Sequence, residues 1–179
     1  SAASDVYKRQ THTEYLDFMN ALEKKGIQPR RLTEPVEMQL GEAFVKTEPP
    51  QSYEIEEGVI EQDNNFSLIT TIIHGDNRFL FTGDAEKQRI RQWLSQEKPE
   101  VCDILKVPHH GVYNTALKDL ADAVSPKYAV ICSSGKNPAD AETLELLRSR
   151  GIETMETKDG NVTVISDGKH LEIRQELER

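Results

Sequence analysis

Two histidines and a glycine follow a proline in VPHHG, residues 107–111, and an aspartate closes the tripeptide TGD, residues 82–84. Imidazole nitrogen and carboxylate oxygen are the donors that zinc or manganese accepts. Each group sits directly behind an apolar run, FLF or ILKV. In layered α/β proteins functional groups gather in the loops at the carboxyl ends of strands, so Asp84, His109 and His110 are the candidate metal donors. Taken singly each has a plain structural reading: Asp84 stands where a helix N-cap belongs, and either histidine could be a solvated loop residue. Together, on consecutive strand ends, they favour a metal site. One carboxylate and one or two imidazoles fall short of the three protein ligands usual at a catalytic zinc. His12 in a first helical turn, His74 in a hairpin turn and His170 in a terminal hairpin read as surface residues.

The elements that must position these groups follow from periodicity. Tyr15, Phe18, Met19 and Leu22 recur at helical spacing behind a Thr11–Glu14 capping box, and Gly26 supplies the stop. Residues 36–40 and 43–46 read as short strands around Gly41, and 48–63 as an acidic surface loop. FSLITTII and RFLFTGD flank the turn His74-Gly75-Asp76-Asn77 and describe a hairpin. A helix in AEKQRIRQWLSQ leads to VCDILKV, an apolar run of the kind buried on both sheet faces. Helices over 116–123 and 141–150 lead to KYAVICSS and IETMET, and NVTVIS and HLEIR flank Asp167-Gly168 as a last hairpin. Strands alternating with helices predict an α/β layered fold with a buried sheet.

A chain of 179 residues fits one domain. Residues 1–10, SAASDVYKRQ, have no apolar period and read as a non-native leader or scar, leaving 11–179 as the domain portion. No apolar run approaches the roughly 20 residues that span a bilayer. With 22 Lys and Arg against 31 Asp and Glu, the net charge of −9 disfavours stable nucleic-acid binding by phosphate neutralisation alone. A polyanionic substrate would need a bound cation. Cys102 and Cys132 lie in strand-like runs and read as buried free thiols. No Gly-x-Gly-x-x-Gly or Walker loop follows a strand, which argues against a nucleotide-binding doubly wound domain. The compartment stays open.

NNFSLITTI (64–72), FLFTGDAE (79–86), DILKVPHHG (103–111), SPKYAVICS (125–133) and the closing GIETMETKDGNVTVISDGKHLEI resemble, in order, the carboxyl-terminal half of metallo-β-lactamase-fold hydrolases. The nearest branch is the ComEC-like one of bacterial competence DNA uptake, which also includes standalone hydrolases. The resemblance implies an αββα sandwich, amino-terminally truncated, with a metal site at one edge of its two sheets. It implies that Asp84 bridges two Zn(2+) or Mn(2+) ions, and that His109 or His110 is the late histidine ligand. It places Asn64 and Ser67, with the second histidine, beside the substrate. The implied activity is hydrolysis of a small-molecule or nucleic-acid phosphodiester, or a related ester, by a metal-activated water. The family's leading His-x-His-x-Asp-His signature is absent, so the missing amino-terminal half of the domain is the expected partner and the truncated chain is expected to be inactive. Val112 stands where a serine commonly follows, and SSGKNPADA lacks the histidine often preceding its proline. The alternative is a catalytically silent binding module of the same fold, associated with DNA uptake.

Overall fold

The computed structural model describes residues 13–53 and 62–177. Thr11, His12 and the leader 1–10 lie outside the described residues, as does 54–61 of the acidic loop. A seven-stranded sheet runs in chain order: β1 (Val36–Leu40), β2 (Ala43–Glu48), β3 (Ile69–His74), β4 (Asn77–Phe81), β5 (Ile104–Lys106), β6 (Tyr128–Ile131) and β7 (Glu153–Glu156). Hairpins make β1 to β4 antiparallel, and helical crossovers make β4 to β7 parallel. The change of direction falls at β4, so the TGD and PHHG loops leave neighbouring strands at the same edge.

Helix α1 (Thr13–Lys24) precedes the sheet, and α2 (Lys87–Gln96), α3 (Ala116–Val124) and α4 (Ala141–Ser149) form the crossovers. Parallel crossovers share one hand, which places them on one face of the sheet. There Leu80, Leu105 and Ala129 stand in register and join Ile90, Trp93, Leu117, Leu120 and Leu147 in a single buried cluster. Each of these large side chains contributes roughly 1.5–3 kcal/mol by leaving water. By contrast α1 keeps Tyr15, Leu16 and Phe18 exposed.

The opposite face carries Phe79, Ile104 and Tyr128 in register. A second sheet, β8 (Gly160–Ser166) paired with β9 (Leu171–Leu177), lies on that side. At one end Ser166 Oγ meets His74 Nδ1 at 2.9 Å and accepts from Asn77 Nδ2 at 2.8 Å; at the other, Gln175 Nε2 donates to the Glu156 carbonyl at 2.7 Å. Val162, Val164, Leu171 and Ile173 are the half-buried apolar side chains of the hairpin, while Thr163, Ile165, Glu172 and Arg174 face water. Helix, sheet and sheet are thus three successive layers of the expected αββα order.

Several local expectations change. The first turn of α2 begins at Lys87 with Glu86 as N-cap, so Asp84 is not the helix cap. The apolar run VCDILKV keeps only three residues in β5, and Cys102 gives its N–H to the Val124 carbonyl rather than to a neighbouring strand. His74 is not a surface residue: it is held against the second sheet by Ser166. His170 is exposed as read. Cys102 is buried, and burial pushes its thiol up to about 12, whereas Cys132 is only half-buried.

Candidate metal and catalytic site

The two loops are stitched together by the backbone. Thr82 Oγ1 donates to the Lys106 carbonyl at 2.8 Å, and the His109 N–H reaches the Gly83 carbonyl at 3.3 Å. Lys106, at the end of β5, donates its ammonium to the same Gly83 carbonyl at 2.6 Å and lies 3.4 Å from Asp84 Oδ1. Gly83 adopts φ +57°, and a Cβ there would stand 3.1 Å from Ser67, which leaves little room for another residue.

The HHG turn is left-handed throughout, with φ of 43° at His109, 54° at His110 and 81° at Gly111. Two non-glycine residues in that region store strain of about 1–3 kcal/mol each. The turn is locked by the Gly111 N–H on the Pro108 carbonyl and the Val112 N–H on the His109 carbonyl. Asp140 closes it from α4, donating its N–H to the Gly111 carbonyl and accepting the Tyr113 N–H at 2.8 Å. This conformation turns the two imidazoles to different partners.

His110 Nδ1 donates to the Cys132 carbonyl at 2.7 Å, which leaves Nε2 as the ring's lone-pair nitrogen, 3.6 Å from Asp84 Oδ2. His109 Nδ1 makes a very short contact with Glu86 Oε1, and its Nε2 lies 3.4 Å from Asn64 Nδ2. Ser67 Oγ accepts the Asp84 N–H at 3.1 Å, and the Ser67 N–H binds the Asn64 carbonyl. All five candidates, Asn64, Ser67, Asp84, His109 and His110, therefore meet at one edge of the sheet. Glu86, Lys106 and the Cys132 carbonyl were not foreseen. A charged residue in the otherwise apolar ILK strand was the available signal for Lys106; the backbone carbonyl left none.

A buried arginine holds the Asn64–Ser67 segment in place. Arg89 of α2 is almost fully buried and donates Nε to the Ser67 carbonyl and Nη2 to the Glu48 and Pro49 carbonyls, at 2.8–3.1 Å. Its N–H also binds Asn65 Oδ1. Burial pulls its guanidinium below the ordinary value, with Glu48 and Tyr53 opposing.

Residues 53–136 match the metallo-beta-lactamase superfamily. That match and the α/β layering support a metallo-β-lactamase-fold, ComEC-like assignment for the chain. It is 31% identical over 105 residues to ComE operon protein 3 of Bacillus subtilis (strain 168), a match covering 56% of this chain and 13% of that protein's length. No group of three His, Cys, Asp or Glu that could hold a metal ion is found among the described residues. Asp84 and His110 still fit a divalent cation in chemistry and orientation, since a histidine whose Nδ1 is held by a carbonyl presents Nε2 to a metal. No helix among the described residues is long and apolar enough to cross a membrane.

Proposed function

We propose that this chain carries the Asp84–His110 portion of a metal-dependent hydrolase centre acting on a phosphodiester or related ester, completed by donors from a segment outside it. The observation that carries the reading is the 3.6 Å approach of His110 Nε2 to Asp84 Oδ2, with the other ring nitrogen fixed on a carbonyl. The match spans 13% of the competence-operon relative's length.

A bound zinc or manganese would supply Lewis acidity and lower the pKa of water towards about 7. The chain's own residues do the rest. Asp84 and His110 would hold the cation. Ser67 fixes the TGD backbone through the Asp84 N–H. Lys106 lies beside Asp84 Oδ1, close enough to steer that carboxylate and to offset part of the local negative charge. His109, anchored on Glu86, presents Nε2 on the Asn64 side, where an imidazole can carry a proton to or from a substrate oxygen. Bound cations would also attract a polyanion that a chain of charge −9 otherwise repels. A DNA phosphodiester is one such substrate, given the competence-operon relative.

The test pairs cobalt titration of this chain with hydrolysis of bis(4-nitrophenyl) phosphate by the longer protein carrying it, each beside Asp84→Ala. Cobalt absorption and turnover lost together in the variant support the reading. Equal activity in both proteins removes it, and the silent binding module then takes its place.

A further inference from the structure

Resting on that reading, we infer that the cleft beside His110, walled by the loop between β6 and α4, is a phosphate subsite that takes the anionic group flanking the scissile ester. The cleft, open to solvent, has a volume of about 850 Å3 at the carboxyl ends of β5 and β6 and is lined by His109, His110, Lys136, Asn137 and Ala141. A substrate reaching from Asp84 past His110 enters it directly, because His110 both faces Asp84 and lines the cleft.

Its chemistry selects an anion. Lys136 is the one permanent cation among the lining residues and Asp140 the one carboxylate. One oxygen of that carboxylate, Oδ2, accepts the Tyr113 N–H at 2.8 Å, and no side chain caps the first turn of α4. The Thr143 N–H is taken by the Asp140 carbonyl, and the N–H groups of Ala141 and Glu142 remain at the helix start, Ala141 on the cleft wall. The exposed side chains of Lys136 and Asn137 make no hydrogen bond or ion pair to any described residue. The hydroxyls of Ser133 and Thr157 already donate, Ser133 to Glu156 Oε2 and Thr157 to the Ser133 carbonyl, which stiffens the loop base. An ammonium, an amide N–H and a helix start lining one cleft offer donors suited to the oxygens of a phosphate.

The test is a 15N-resolved NMR titration of the chain in EDTA with inorganic phosphate and, separately, with the dinucleoside phosphodiester TpT. Saturable shifts confined to the amides of residues 133–142, with both probes, are expected. Lys136→Ala combined with Asn137→Ala should weaken both by roughly tenfold, the scale of a charge-assisted contact, while Lys169→Ala, in the distant terminal turn, leaves them unchanged. Absence of saturation, or equal binding by the double variant, overturns the subsite. Binding of free phosphate but not TpT overturns its assignment to a flanking substrate group. Cobalt titration in parallel separates the two claims: phosphate binding intact with no cobalt bound sinks the metal reading and leaves the subsite standing.

Discussion

His110 Nε2 faces Asp84 Oδ2 at 3.6 Å, whereas no oxygen of Asp84 comes within ion-pairing distance of His109, whose Nδ1 is taken by Glu86. The adjacent histidines of one motif are thus assigned different work by a left-handed turn. If Asp84 and His110 share a cation, His110→Ala and Asp84→Asn each lower cobalt affinity by at least about tenfold, the scale of disturbing one metal-site contact. His109→Ala keeps most of it. Calorimetric titration of the three variants checks this, and a larger loss at His109 than at His110 would reverse the assignment.

Gly111 is required by shape as well as by its φ of +81°. A Cβ there would stand 2.7 Å from Ala139 Cβ and 3.0 Å from Ile131 Cγ2, both in the packed interior. Gly111→Ala therefore combines a left-handed alanine with overpacking, together about 2–4 kcal/mol. Urea denaturation measures it. A loss under about 1 kcal/mol would show that the turn relaxes at little cost.

Arg89 satisfies three backbone carbonyls, those of half-buried Ser67 and of the buried Glu48 and Pro49. Arg89→Met fills the volume but strands those acceptors, a cost of about 3 kcal/mol or more. Arg89→Lys should not restore stability, because a single ammonium on a flexible stem lacks the planar fork that reaches all three. Thermal unfolding of both variants checks the pair, and full rescue by lysine would count against the fork.

Glu156, at the end of β7, lies nearly buried where burial alone would raise its carboxyl, yet Lys158, Ser133 and the Ala139 N–H together hold it below its ordinary 4.5. A carboxyl that ionises more readily when folded lends stability that is complete above pH 4.5 and fades as pH falls through the depressed folded value. Glu156→Gln removes that component. The stability gap between wild type and variant should be widest near neutrality and shrink in acid, as read by urea midpoints across the range. A gap that widens in acid would contradict the sign.

The layered architecture was legible because alternation and helical spacing report burial directly: the in-register Leu80, Leu105 and Ala129 are the apolar positions the runs announced. The convergence of Asp84 with the histidines was legible from strand-end placement. What stayed hidden was tertiary. Nothing local distinguishes His109 from His110, since their separation rests on positive φ values and on partners 22 or 23 residues away, the Cys132 carbonyl and Glu86. Likewise Asp84 reads as a cap until the helix is seen to begin at Lys87. His74 looked like a solvated turn because its partner, Ser166, is 92 residues distant.

On the face away from the helices, Met38, Val45, Ile72 and Phe79 stand opposite one another in register across β1 to β4. The β8–β9 hairpin meets this face at the β3–β4 turn but leaves the outer part open: Met38 is 53% and Leu40 68% exposed, both on β1, the edge strand of the sheet. An apolar edge strand with an open face recruits other chains. The chain alone should therefore self-associate with rising concentration and bind a hydrophobic dye. Met38→Lys with Leu40→Lys should suppress both without altering the far-ultraviolet circular dichroism, since these side chains support no buried contact and lysine protects sheet edges. Analytical ultracentrifugation decides the matter. Unchanged association in the double variant would place the sticky surface elsewhere, with the exposed Tyr15, Leu16 and Phe18 of α1 the next surface to substitute.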